Sequence, residues 1–472
     1  MSQRKFIKIL ILFLCGLILF SAIGLVILWL QNTQRNNDFQ TNTNSIFPRV
    51  ANIEISQGQK VLIREESAET KLAAAQDMAA ENYQMAMDKL TQSLQTYPND
   101  PEALIYLNNA QIGNNKSYSI AVAAPIATNT NGAKEILRGV AQAQQEINQA
   151  GGIKGIPLKV VIANDHNSPE IAKKLAQELA NDADILGVIG HWSSDVTLAS
   201  AEIYQSEQLV VISPVSTSVE LSSFGDYIFR TVPSDRFAGS ALSRYMVNQL
   251  GRKKAAIFFN SQSNYSQSLK DEFTKSLFSD GGEIVGEFDL SQKNFDPNND
   301  WQQAKNQGAE VLMLALTTDT IEEALAVIKI NKKELFLLGG DDGYNTELLQ
   351  RGAGNAVGMV LAIPWHISAH NNDPFVGVAK RLWGGEISWR TALAYDATLA
   401  LINGLGETPN PTRQSLQATL SKPNFSFQGA SGSVNFLPSG DRNQAVQLVR
   451  VKANNLAEFG YEFHIFPSLN SN

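Results

Sequence analysis

The sequence predicts an α/β fold of two doubly wound parallel-sheet lobes joined by a three-crossing hinge, preceded by a transmembrane helix and a short all-α module. Three observations lead there. Apolar runs alternate with amphipathic segments through two successive stretches from Tyr118 onward, which is the pattern of a parallel sheet covered on both faces. An almost unbroken apolar run spans Ile9 to Leu30. Between these regions, small and apolar residues recur at helical spacing.

Composition narrows the classes of function. The 472 residues are 43% hydrophobic and 18% charged, enough for several packed cores and unlike a disordered chain. The net charge is −8, and the only charges among the first 30 residues are Arg4, Lys5 and Lys8, so the rest carries 35 basic against 46 acidic residues. Such a surplus of acid argues against a nucleic-acid partner, which requires a basic footprint. The only cysteine, Cys15, lies inside the apolar run, leaving the other segments without a disulfide, a thiol nucleophile or a thiolate metal site.

The apolar run is 22 residues long, which as a helix extends about 33 Å and crosses a bilayer. Its basic flank precedes it, so residues 1–30 are expected to be a cytoplasmic stub and anchor with the remainder outside. A cleaved signal would be shorter and end on small residues, whereas this run ends Val26-Ile27-Leu28-Trp29-Leu30. Residues 31–64 read as a polar linker with at most one short strand. In residues 65–114, Leu72, Ala75 and Ala79, then Tyr83, Ala86, Leu90 and Leu94, mark two helices, and a third follows the break at Pro98–Pro101. The run from Asn82 through Pro98-Asn99-Asp100 resembles the second half of a tetratricopeptide repeat, with Glu102 to Ala110 starting the next. A module so short must pack on another element, or serve as a spacer or platform for a protein partner.

Strands are expected at 118–123, 158–163, 185–190 and 209–213, with helices at 133–149 and 169–181 between them. Ile136, Val140, Ala143 and Ile147 form one helical face, Gly151-Gly152 end that helix, and Ser168-Pro169 start the next. The same alternation resumes after Asp235, with strands at 255–260, 284–288, 311–316 and 335–339. The lobes are expected to be 117–235 with 358–430, and 236–357 with 431–466.

Several blocks within residues 117–465 then carry a resemblance. They are Ile147 to Gly155, Gly187-Val188-Ile189-Gly190 with Ser193-Ser194, Ile212 to Thr217, Phe229 to Asp235, Gly339 to Gly343, Ala394-Tyr395-Asp396-Ala397 and Ser439-Gly440-Asp441. In this order they resemble the type I periplasmic solute-binding proteins of the branched-chain (hydrophobic) amino acid ABC transport family. The resemblance implies a small-molecule ligand, an amino acid, held between the lobes of a protein in the periplasm of a bacterial inner membrane, and either an ABC permease or a signalling partner beyond it. A scaffold without a ligand is a third reading.

A free amino acid needs hydroxyl and N–H donors for its carboxylate and an acidic acceptor for its ammonium. Ser194 and Thr217 follow successive strands, where they either cap helices or donate to a ligand. The resemblance favours donation, assigns the ammonium to Asp342 with the Val215 carbonyl, and closes Tyr265 over the ligand. It adds Ser193, Ser216 and Trp192 to the wall, with Trp365 as a further aromatic candidate. At two places where the family often has rings, this chain has small polar residues, around Asn131 and at Thr317, which points to a larger or more polar side chain.

No enzyme is expected. His191 to Asp195 lacks a nucleophile elbow, His366 and His370 lack a zinc-hydrolase glutamate, and no phosphate-binding loop follows a strand. Neither a cofactor nor a metal is expected.

Overall fold

The structure is a computed structural model that describes residues 53–64, 68–385 and 387–466. The expected anchor and most of the linker lie outside these residues, and among the described residues no helix is long and apolar enough to cross a membrane.

Three helices come first: α1 (Ala68–Ala79), α2 (Tyr83–Thr96) and α3 (Pro101–Ile112). They do not stand free as a spacer. The side chain of Asn109 on α3 bonds both backbone groups of Val160 in the first lobe, at 2.7 and 3.1 Å. A buried ion cluster ties the incoming chain to the same helices, because Lys71 Nζ meets Asp100 at 2.7 Å and Glu102 at 2.9 Å. Glu102 also accepts from the Leu62 and Ile63 N–H groups. The short strand expected in the linker is β1 (Glu54–Ser56), which adds antiparallel to the edge of the first sheet.

The first lobe builds on β2 (Tyr118–Ala124), β3 (Leu158–Asn164), β4 (Ile185–Ile189), β5 (Val210–Ser213) and β6 (Ile228–Arg230), in the order β1-β3-β2-β4-β5-β6. Helices α4 (Thr130–Gln149), α5 (Pro169–Asn181) and α6 (Ser194–Ser206) connect them. The predicted apolar face of α4 is buried at Ile136, Val140 and Ala143. The second lobe has α7 (Asp235–Arg244), β7 (Lys254–Phe259), α8 (Asn264–Ser279), β8 (Glu283–Asp289), α9 (Pro297–Asn306), β9 (Val311–Ala315), α10 (Ile321–Asn331), β10 (Phe336–Gly339) and β11 (Val360–Ile363). Helices α11 (Pro374–Trp383), α12 (Trp389–Gly406) and α13 (Arg413–Leu420), with the hairpin β12 (Phe427–Gly429) and β13 (Gly432–Val434), follow. Strands β14 (Gln447–Ala453) and β15 (Tyr461–Ile465) complete the second sheet, ordered β15-β14-β11-β10-β9-β7-β8.

Two expectations are corrected. The sheets are mixed, since β1, β14 and β15 run antiparallel to their neighbours. The lobe boundaries also shift. β11 pairs with β10 and β14, so the second lobe runs to Ile363 rather than 357. Residues 431–442 stay with the hinge, where Gly440 accepts from the Arg230 N–H at 3.1 Å, and the second lobe resumes at β14.

Both lobes reverse their strand order at the first strand, β2 in one and β7 in the other. Loops leaving the carboxyl ends of the neighbouring strands diverge there, and that crevice is where open α/β sheets take ligands. The chain crosses between the lobes after β6, after β11 and before β14. Buried pairs brace these crossings: Arg230 meets Asp441 at 2.6 Å, and Arg442 meets Asp396 at 3.2 Å.

Candidate functional site

A cavity of about 310 Å³ lies between the lobes at these strand ends. On the first lobe its wall comes from the loop after β4, the turn after β5 and the start of α12; on the second, from the segments after β7, β9 and β10.

The loop after β4 is fixed from behind. His191 is fully buried, with Nδ1 2.7 Å from Asp165 and Nε2 3.1 Å from the Tyr204 hydroxyl. This pairing makes His191 a support for the loop. Trp192, Ser193 and Ser194 then line the cavity. Ser193 caps α6 by accepting from the Val196 N–H at 3.4 Å. Ser194 falls in the first turn, where N–H groups have no partner within the helix. Its Oγ accepts from the Ser218 N–H at 3.3 Å, leaving its own proton to donate. Trp192 fits because position 132 is glycine: a Cβ there would sit 2.7 Å from the indole ring.

After β5 the chain turns on Ser213, whose Oγ accepts from the Val215 and Ser216 N–H groups at 3.4 and 3.0 Å. Val215 and Ser216 line the cavity. Thr217, expected there, does not: it is 4% exposed, inside the hinge, and its carbonyl accepts from the Asp235 N–H at 2.9 Å. Asn131 is displaced as well, because it faces solvent on the first turn of α4 while Trp192 fills the space beside Gly132. Trp365 is core, 1% exposed, with its indole N–H donating to the Ala430 carbonyl at 3.2 Å.

Across the cavity stand Tyr265, Thr317 and Asp342. Thr317 Oγ1 accepts from Asn260 Nδ2 at 3.0 Å. The Asp342 N–H donates to the Tyr265 hydroxyl at 3.3 Å, and one carboxylate oxygen accepts from the Thr318 N–H at 2.8 Å. Tyr265 reaches this loop because residue 340 is glycine, where a Cβ would lie 2.3 Å from the hydroxyl. Burial raises the Asp342 carboxyl above the usual range, with the Arg390 charge opposing. Burial likewise pushes Asp341 up to about 6.

Arg390 is the residue that sequence reasoning missed. It opens α12 on the first lobe, stacked between Trp192 and Trp389 with its guanidinium 4.9 and 4.4 Å from the ring centres. From there Nη1 donates to the Tyr344 carbonyl of the second lobe at 3.1 Å, and Nη2 lies 3.5 Å from Asp342. Asp195 was also missed; its carboxylate accepts from the Asn264 backbone and side chain at 3.1 and 2.8 Å, again across the lobes. Neither carries a local signal, because each acquires its place only when the lobes meet.

At the hinge, burial and then the Asp341 charge push Asp235 up to about 7. A carboxyl raised on folding binds more protons in the native state, so its contribution falls as pH rises from 3.8 toward about 7. Asp235→Asn is therefore expected to flatten the decline in unfolding midpoint across that window and to raise the midpoint above it. Denaturant melts of both proteins at a series of pH values check this.

Comparison with known proteins gives a consistent picture. A family profile described as "Periplasmic binding protein" matches residues 118–455. An "Amino acid binding protein" of Pseudomonas aeruginosa is 31% identical over 195 residues, 41% of this chain, and the match spans about half of that relative, 52% of its length. A "Leucine-, isoleucine-, valine-, threonine-, and alanine-binding protein" of the same organism is 25% identical over 330 residues, covering 68% of this chain and 86% of that protein. Among solved structures, an ABC transporter substrate-binding protein from Desulfitobacterium hafniense in complex with Leu is 26% identical with a TM-score of 0.63, covering 74% of this chain and 100% of that one.

Proposed function

Because the chain belongs to the periplasmic binding protein family, we propose that it is a solute-binding protein that closes its two lobes on a free amino acid and serves an ABC transporter. One observation carries this reading: hydroxyl and helix N-terminal donors at Ser193 and Ser194 line the first-lobe side of a cavity of amino-acid size whose second-lobe side carries the Asp342 carboxylate. The donor wall suits a carboxylate and the acidic loop an ammonium. The relatives named for amino acids support the same ligand class.

A thermal-shift screen of the full-length protein against the common amino acids tests it. A ligand at 100 times its dissociation constant adds about 2.7 kcal/mol, so at least one amino acid should raise the midpoint clearly. No shift with any of them would favour the ligand-free scaffold. Ser194→Ala removes a donor and orphans the Ser218 N–H, so it should weaken binding by about 1–3 kcal/mol in calorimetric titration.

The reading extends to the N-terminus. Residues 9–30 form a retained anchor that keeps residues 31–472 in the periplasm, so full-length protein should stay in the membrane fraction through salt and alkaline washes. Mature protein beginning near residue 30 would mean a cleaved signal. The helices of residues 68–112 serve as a tetratricopeptide-like platform for a protein partner, fixed to the first lobe.

A further inference from the structure

With the carboxylate at Ser193 and Ser194 and the ammonium at Asp342, the rest of the cavity is left for the ligand side chain. Its apolar lining consists of Pro169, Val215, Tyr265 and two indoles, Trp192 and Trp389. The Arg390 guanidinium lies over both indole rings, so these aromatics hold a cation as well as offering apolar surface. Acidic groups are present as well. Asp195 from the first lobe and Asp319 from the second line the same cavity.

Among the described residues, neither has a basic side chain within ion-pair distance, and Asp195 is bonded across the lobes only by neutral Asn264. Burial raises the Asp195 carboxyl, and the Asp319 charge adds to the shift. Asp319 acts on Asp342 in the same sense. Arg390, the one cation lining the cavity, is held between two tryptophans and bonded to the Tyr344 carbonyl. Four aspartates therefore face one arginine, counting Asp341 and Asp342. A zwitterion leaves that excess uncorrected, whereas a ligand with one more positive charge relieves the repulsion that lobe closure creates. The acids are spread around the cavity: among the described residues, no three ligating side chains converge as a metal ion would require.

We infer that the cleft selects an α-amino acid with a cationic side chain, of the lysine or ornithine kind, and that Asp195 and Asp319 receive its distal ammonium. This rests on the amino-acid reading proposed above. The distal cation sits between carboxylates of opposite lobes, so it bridges them as it binds and favours the closed arrangement.

Calorimetric titration of the full-length protein in detergent with L-lysine, L-norleucine and cadaverine tests both levels. Norleucine lacks the distal nitrogen of lysine, and cadaverine lacks its carboxylate. Lysine should bind at least tenfold more tightly than either. A preference over norleucine of less than tenfold overturns the cation subsite while leaving the amino-acid reading in place. Cadaverine binding as tightly as lysine overturns the amino-acid reading and leaves the cation subsite standing. Binding of none of the three overturns the cation subsite, while the amino-acid reading falls only if the screen of the common amino acids also shows no shift. In Asp319→Asn, with its unfolding midpoint checked against the parent, the lysine-to-norleucine affinity ratio should fall toward one; an unchanged ratio overturns the assignment of that residue.

Discussion

Replacing Asp342 with alanine should weaken amino-acid binding by about 2–5 kcal/mol, a loss of roughly thirtyfold to several thousandfold. The ligand ammonium would be left in a partly enclosed cavity without its counter-charge. Arg390, now 3.5 Å from the carboxylate, would remain as a like charge facing it. Asp342→Asn separates the charge from the shape, because the amide oxygen can still accept from the Thr318 N–H that the carboxylate holds at 2.8 Å. Most of the loss should persist in that variant. Calorimetric titration of both, with folding checked by thermal melts, decides the matter: binding within about twofold of the parent in Asp342→Asn would remove the ammonium from this residue.

The second large effect concerns the hinge. Asp396 is fully buried on α12 and accepts from the Ala430 N–H at 2.6 Å, the Ser431 N–H at 3.2 Å, the Ser431 hydroxyl and Arg442. Arg442 is itself fully buried and also donates to the Ser433 carbonyl at 3.1 Å. Asp396→Ala would strand a buried guanidinium, which typically costs about 3–5 kcal/mol. Denaturant unfolding should show a loss of that order. Asp396→Asn, which keeps the shape and part of the hydrogen bonding, should lose less. Since the pair fixes the third crossing of the chain against the first lobe, it would provide the rigid frame for the closure proposed above.

Much of the fold was legible because its signals are local. Helix α5 was predicted over the observed residues, as Ser168 accepts from the Ile171 N–H and Pro169 occupies the first turn. Buried strands such as β9, Val311–Ala315, are continuous apolar runs that no other element explains as simply. What failed was non-local. The run Val360–Ile363 reads as a buried strand in either lobe, and only its pairing with β10 and β14 decides between them.

The site divides in the same way. Ser194, Val215 and Asp342 line the cavity, and each follows a strand end in sequence, which is what made them legible as candidates. Of the two neighbours expected at the wall, the turn built on Ser213 sends Ser216 to the cavity and Thr217 inward. Arg390 stayed hidden because its meaning lies in Tyr344 and Asp342, more than 40 residues earlier in the chain. The block Phe229 to Asp235 was expected at a hinge crossing, whereas Ser439 to Asp441 was noticed only for its resemblance. Their physical reason is the buried Arg230–Asp441 pair that joins two of the three crossings.

The central claim is that the cleft grips both charged ends of one amino acid. It is tested most directly by calorimetric titration of the full-length protein with the amino acid that stabilises it best, alongside that compound's methyl ester and its N-acetyl derivative. The ester removes the carboxylate charge and the acetyl group removes the ammonium. The free amino acid should bind one to one, and each derivative should lose at least tenfold in affinity. A derivative that binds as tightly as the parent compound would contradict the assignment of the end it blocks.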